Sequence, residues 1–299
     1  MRILNQVKTA GLLGLLSGLI VLASYYLVGN ESGLYLGLAI AAFMSFSSWY
    51  YSDQAALASF RAQPLAPEAS PDLYRTIERL SDRAGLPMPK VFVAPLDTPN
   101  AFATGRDPDH ATIAVTQGLL NSLSSEEIEA VIAHELTHIR NRDTLIQAVA
   151  GTLAGGITFL GRILTLGALY GPFSGRPGQR GNNPLVLFFL IIGAPLSAGL
   201  IQMAISRTRE YAADLGAVGI TGDPLALASA LQKLEGLSHK FPMRANPAMV
   251  PLLTVNPLSK KGLMALFMTH PPTEERIRRL QALAQEKQQE TQNTPALAA

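Results

Sequence analysis

Ser124-Ser-Glu-Glu-Ile-Glu-Ala-Val-Ile-Ala-His134-Glu-Leu-Thr-His138-Ile-Arg-Asn-Arg-Asp143 is the stretch from which the rest of the chain is placed. Ser124 and Glu127 have the spacing at which a serine and a glutamate cap a helix start reciprocally. Ile128, Ala130, Val131 and Leu136 then carry the helix to Asp143. Residues four apart on a helix differ by only about 40° around its axis, so His134 and His138 face one point. Two neutral imidazoles at that spacing form half of a tetrahedral zinc site. Glu135, beside the first of them, sits where it can take a proton from a water polarised by the metal.

A zinc hydrolase needs a third protein ligand and an open fourth position. The 299 residues include no cysteine, which removes thiolate ligands, disulfides, cysteine nucleophiles and iron–sulfur clusters and leaves His, Asp or Glu. Glu210, in Ser206-Arg-Thr-Arg-Glu-Tyr-Ala-Ala-Asp-Leu-Gly216, is the best candidate, with an ordinary surface Glu paired to Arg207 or Arg209 as the alternative. Asp214 lies one helical turn further on the same face, placed to orient a ligand imidazole.

The path between the two motifs is hydrophobic. Charged residues make up 15% of the chain, against about 25% in an ordinary soluble domain. Thr9 to Val28 and Gly33 to Ser52 carry no charge, and each is long enough to cross about 30 Å of hydrocarbon as a helix. They read as a transmembrane hairpin; a cleaved signal peptide is the competing reading of the first block. Thr144 to Gly175 holds only Arg162, and Gly181 to Ser206 holds no charge. These form a second hairpin, in a bilayer or, alternatively, buried within the protein. That hairpin returns the chain to the side it left after Asp143, which brings Glu210 back to the histidines. Arg2, Lys8, the region from Arg61 to Arg142 and everything from Arg207 onward fall on one side, with only Arg176 and Arg180 on the other. Positive residues are retained in the cytoplasm, so both termini and the polar regions are expected there.

Between the hairpins, Ser70-Pro71-Asp72 starts a helix whose inner face is Leu73, Ile77, Leu80 and Ala84. Lys90–Ala94 and Ala111–Thr116 are β-rich runs. Asn100 to Thr104 reads as an edge strand on which an extended substrate pairs through its backbone, or as a simple turn between Pro99 and Gly105. Helices are expected from Arg207 to about Val218, from Pro224 to Leu237, and after Thr273 with Ile277, Leu280 and Leu283 inside. His239 to Ser259, with four prolines, reads as irregular. The domains expected are a transmembrane hairpin (1–52), the first half of a catalytic domain with the small sheet and zinc-binding helix (53–143), a second hydrophobic hairpin (144–206), the second half (207–284) and a disordered tail (285–299).

Four motifs in order, His134 to Asp143, Arg209-Glu-Tyr-Ala-Ala-Asp214, Asn100-Ala-Phe-Ala-Thr-Gly105 and Thr269-His-Pro-Pro-Thr-Glu-Glu-Arg276, make the sequence similar to the HtpX group of membrane-integrated zinc metalloproteases, relatives of the CaaX prenyl protease. The resemblance runs from the N-terminal hairpin to about Leu283. It implies a mainly α integral membrane protein, with a zincin-like α+β protease domain and four hydrophobic helices in two hairpins. It also implies one Zn2+ per chain on His134, His138 and Glu210, Glu135 as general base, and an endopeptidase at the cytoplasmic face of the bacterial inner membrane acting in membrane-protein quality control. The CaaX-type relative has more spans, so processing of prenylated peptides is not expected. His270, fixed by Pro271 and Pro272, is a candidate oxyanion donor, or only part of the cap of the last helix.

Other classes fit less well. A non-catalytic scaffold or sensor with a structural zinc site would have no use for Glu135. A transporter or channel would need intramembrane acidic residues, which none of the four blocks carries. The balance of 24 Lys and Arg against 22 Asp and Glu gives no reason to expect nucleic acid. The chain has no phosphate-binding loop, so the polypeptide substrates expected are unfolded segments or membrane-protein loops, cleaved without ATP.

Overall fold

The structure is a computed structural model. It describes residues 30–147, 149–150, 207–238, 240, 252–254 and 271–293, with scattered positions before residue 30. Most of the second hydrophobic hairpin, His239, His270 and residues 294–299 lie outside the described residues.

Helix α1, Glu31–Tyr50, is capped by Asn30, whose side chain accepts from the Ser32 N–H at 2.9 Å. Val21 and Ser17, among the described positions before it, lie against it. A Cβ at Gly37 would fall 2.7 Å from Val21 Cα, and the Ser17 and Ser45 hydroxyls are 3.2 Å apart. Small residues permit this approach, as in paired membrane helices. Elsewhere α1 exposes Tyr35, Leu36, Phe43 and Phe46. Helix α2, Ser52–Ser59, follows. Among the described residues no single helix is long and apolar enough to cross a membrane; Glu31–Ser47 and α2 pass that test together, bent by 64°.

The sheet has β1 (Gln63–Pro64), β2 (Lys90–Ala94), β3 (Ala101–Thr104) and β4 (Thr112–Thr116) in the order β1-β2-β4-β3, with β2 and β4 parallel and the other pairs antiparallel. The run around Asn100–Thr104 is therefore a strand at the sheet's end, not a turn. Side chains alternate faces. Val91, Ala101, Ala103, Ile113 and Val115 enter the main core, while Phe102, Ala114 and Ala94 pack with Ala56 and Phe60 in a second cluster.

The main core is closed by helices α3 (Pro71–Ala84), α5 (Ser125–Asn141), α6 (Arg207–Thr221), α7 (Pro224–Ser238) and α8 (Thr273–Asn293); α4 is the short helix Gln117–Ser122. Leu73, Ile77, Leu80 and Ala84 of α3 are buried as their spacing predicts. Helix α6 runs to Thr221 rather than to about Val218, and two further helix ends differ from the sequence reading. Helix α5 stops at Asn141 because Arg142 turns into the left-handed region at φ 59. Residues 285–293, expected to be a disordered tail, continue α8. Their Gln, Glu and Lys are good helix formers, and Lys287 Nζ donates to the Gly222 carbonyl at 3.1 Å.

Candidate active site

Helix α5 is fixed at its start. The Ser124 N–H donates to Glu127 Oε2 at 2.8 Å, completing the capping box. Ser229 Oγ and Lys233 Nζ of α7 donate to the same carboxylate at 2.6 and 2.8 Å. Burial tends to raise the Glu127 pKa, but these donors outweigh it and the carboxyl titrates below its ordinary range. Helix α6 packs closely on α5. A Cβ at Gly216 would fall 2.3 Å from Thr137 Cγ2, so glycine is what admits the contact.

This packing brings Glu210 to the histidines. His134 Nε2 and His138 Nε2 are 3.2 Å apart, and each is 3.7 Å from a Glu210 carboxylate oxygen. One ligand atom from each of the three residues lies within 4.8 Å of the others. The surroundings fix the imidazoles further. His134 Nδ1 donates to Asp214 Oδ1 at 3.1 Å and His138 Nδ1 donates to Asp143 Oδ2 at 3.0 Å. With Nδ1 protonated on both rings, the Nε2 lone pairs point at each other and at a carboxylate. Such a set of acceptors repels itself unless a cation sits among them, so the residues fit a divalent metal. His138 reports the same demand. Burial opposes its charging, but the Asp143 hydrogen bond and the charges of Glu210, Asp143 and Glu135 push its pKa up to about 9.

Three participants are not singled out by sequence reasoning. Asp143 reaches His138 because the backbone turns at Arg142, one residue earlier, which no spacing rule announces. Arg276 is buried; its Nε and Nη2 donate to Asp214 Oδ2 and Oδ1 at 2.9 and 2.6 Å, and Nη1 lies 3.6 Å from Glu210 Oε2. A signal for Arg276 does exist, since it stands four residues before Leu280 on the inner face of α8, where a charge requires a partner. Thr254 donates its hydroxyl to Glu135 Oε1 at 2.8 Å. His110 is outside the site, exposed and paired with Asp107 at 2.7 Å.

A His-Glu-x-x-His helix facing a carboxylate from a second helix defines a metallopeptidase. The comparisons agree with the geometry. The profile of peptidase family M48 matches residues 67–284. The chain belongs to that family. It is 52% identical over 276 residues to a "Protease HtpX homolog" of Nostoc sp., covering 92% of this chain and 96% of that one. It is 47% identical to a protein of the same name from Desulforapulum autotrophicum, over 92% of this chain and 89% of that one. Among solved structures it resembles S. mikatae Ste24p, with a TM-score of 0.52 and 22% identity over 93% of this chain; it spans 66% of that chain's length. The last likeness is one of fold. The chain is thus a mainly helical metallopeptidase with a small sheet.

Proposed function

We propose that the protein is a membrane-anchored zinc endopeptidase that cleaves unfolded or misfolded membrane proteins at the cytoplasmic face of a bacterial inner membrane, independently of ATP, in protein quality control. The observation that carries this reading is the convergence of His134, His138 and Glu210 next to Glu135, all almost fully buried. These three residues would hold a zinc ion, which would supply Lewis acidity at the site. Glu135 takes the proton of the attacking water and returns it to the departing amine. Asp214 and Asp143 hold the two imidazoles in the tautomer that leaves Nε2 free to coordinate. His270, outside the described residues, is the proposed donor to the oxyanion.

The membrane reading rests on the uncharged blocks, the apolar face that α1 exposes and the ring of Trp49, Tyr50 and Tyr51 at its end, with Arg106 stacked over Trp49 and Tyr50 at 5.8 and 5.1 Å. Aromatic and cationic side chains favour the interface of a bilayer. The lack of a nucleotide-binding motif supports independence from ATP, and the strand β3 supports recognition of extended backbone.

The test is to measure zinc content and cleavage of unfolded casein for the detergent-purified protein and two variants. Glu135→Gln is expected to keep zinc and lose cleavage, and Glu210→Ala to lose both. Full cleavage by Glu135→Gln would remove the assigned base.

A further inference from the structure

The groups proposed to do the chemistry are closed off: His134 is 0% exposed, Glu135 and Glu210 2% and His138 4%. A peptidase whose reacting groups are shut in must open something before a peptide reaches them. On the Glu135 side, the described residue in contact is Thr254, in the short stretch Leu252–Thr254.

That stretch is a turn and bend rather than a strand, but it sits on the edge of β3 at which a peptide substrate would pair. The Asn100 carbonyl accepts the Thr116 N–H at 2.9 Å, and alternate residues of an antiparallel strand direct their polar groups to opposite edges, so the Ala101 carbonyl faces away from β4. The Thr254 N–H donates to that carbonyl at 3.1 Å. Thr254 thus occupies, from a bend, a carbonyl that an extended backbone would use to add to the sheet edge. The Thr254 hydroxyl stands 2.9 Å from the same oxygen and 2.8 Å from Glu135 Oε1, and its carbonyl accepts from Arg276 Nη1 at 3.2 Å. Leu252 and Leu253 are buried beside it, in the cluster of Ala56, Phe60, Phe102 and Ala114.

We propose that Leu252–Thr254 is an internal occupant of the substrate cleft, which holds the edge strand and Glu135 in the resting protein and is displaced when substrate binds. The proposal rests on the reading of Glu135 as the general base and of β3 as the substrate edge. It also names the substrate class: the vacated site takes an extended segment bearing bulky aliphatic side chains, which fill the apolar pocket that Leu252 and Leu253 fill now. The Arg276 guanidinium, freed from the Thr254 carbonyl, is left to hold a carbonyl of the incoming chain. A protein with its hydrophobic segments packed away presents no such strand, so the occupant also guards folded proteins from cleavage.

The experiment uses the full-length protein in detergent. Leu252→Ala/Leu253→Ala weakens the anchor of the occupant and is expected to raise kcat/KM for unfolded casein about tenfold, through a lower KM, because a competing closed state is depopulated. Unchanged or lower kcat/KM in a variant that keeps its zinc and its thermal transition would overturn the proposal. A second measurement does not depend on that variant folding. In Glu135→Gln saturated with casein, hydrogen exchange at the Thr254 amide is expected to accelerate at least tenfold, and unchanged exchange would overturn the proposal equally. The two layers separate cleanly. Cleavage that needs Glu135 but shows neither relief nor faster exchange defeats the internal occupant alone, whereas cleavage that survives Glu135→Gln removes the base and the occupant with it.

Discussion

Replacing Arg276 by Met tests the network behind the candidate metal ligands. Arg276 is 2% exposed and Asp214 4%, and the guanidinium meets the carboxylate through two hydrogen bonds of 2.9 and 2.6 Å. Burial tends to raise the Asp214 pKa, and the charge and hydrogen bonds of Arg276, with the His134 bond, more than reverse this. Removing the guanidinium leaves a buried carboxylate with, among the described residues, only the imidazole N–H to satisfy it. Breaking a buried pair in this way costs about 3–5 kcal/mol, while replacing both partners by uncharged groups is often close to neutral. For a domain of this size that cost corresponds to a fall of roughly 6–20 °C in Tm. The assay is thermal unfolding of the detergent-solubilised, chelator-treated protein, so that metal does not mask the difference. Asp214→Asn/Arg276→Met is expected to recover most of the lost stability, since the amide oxygen still accepts from His134 Nδ1. Both variants are expected to bind zinc about 10 to 100-fold more weakly, because an imidazole held less firmly is a poorer ligand. A loss below about 1 kcal/mol in Arg276→Met, or a double variant as unstable as the single one, would refute the reasoning.

Further outcomes follow from other parts of the fold. Gly216→Ala is expected to cost about 1–3 kcal/mol through overpacking against Thr137, and Gly216→Ala/Thr137→Ala to recover most of it, as read by thermal unfolding. Glu127, whose folded pKa lies below its ordinary value of 4.5, contributes stability that is full above that value and is lost as pH falls through the folded pKa. Glu127→Gln is therefore expected to be less stable than the parent by about 1 kcal/mol at pH 7, with the difference shrinking below pH 4.5 in unfolding measured across pH 3–7. Reporter fusions at Glu31 and Gly181 are expected outside the cytoplasm and fusions at Leu86 and Ala299 inside; an external Leu86 would invert the orientation.

The parts of the fold written in local periodicity were legible in the sequence. The capping box of α5, the inner face of α3 and the β-rich runs at Lys90–Ala94 and Ala111–Thr116 each depend on neighbours within a few residues. Glu210 was reachable by a different route, through the expectation that a second hydrophobic hairpin returns the chain to the side it left after Asp143. The remaining members of the site depend on events without a local pattern. Asp143 needs the single left-handed residue Arg142 to turn its carboxylate onto His138. Thr254 reaches Glu135 from 119 positions away, out of a proline-rich stretch with no periodicity. The extension of α8 past Gln285 was misread because a polar sequence low in apolar residues suits both a solvated helix and a disordered tail. There the choice rests on helix propensity and on a contact from Lys287 that no pattern records.

Charge explains why these distant residues belong together. Among the described residues around the imidazoles, Glu135, Asp143, Glu210 and Asp214 are buried carboxylates, and Arg209 and Arg276 are the buried guanidiniums. The carboxylates exceed the guanidiniums by two negative charges, and isolated buried charge is expensive. A divalent cation on His134, His138 and Glu210 cancels that excess. Without it the nearest remedy is a proton, and the upward push on His138 is the sign of that demand. Arg276 does not serve instead: although Nη2 comes within 3.4 Å of His134 Nε2 and Nη1 within 3.6 Å of Glu210 Oε2, its Nε and Nη2 are bonded to Asp214, so its single charge is already balanced there. The site is thus built as an incomplete charge set that the metal completes, while Glu135, the one carboxylate of the four that holds neither an imidazole nor a place among the three converging ligand groups, is left for the proton transfer.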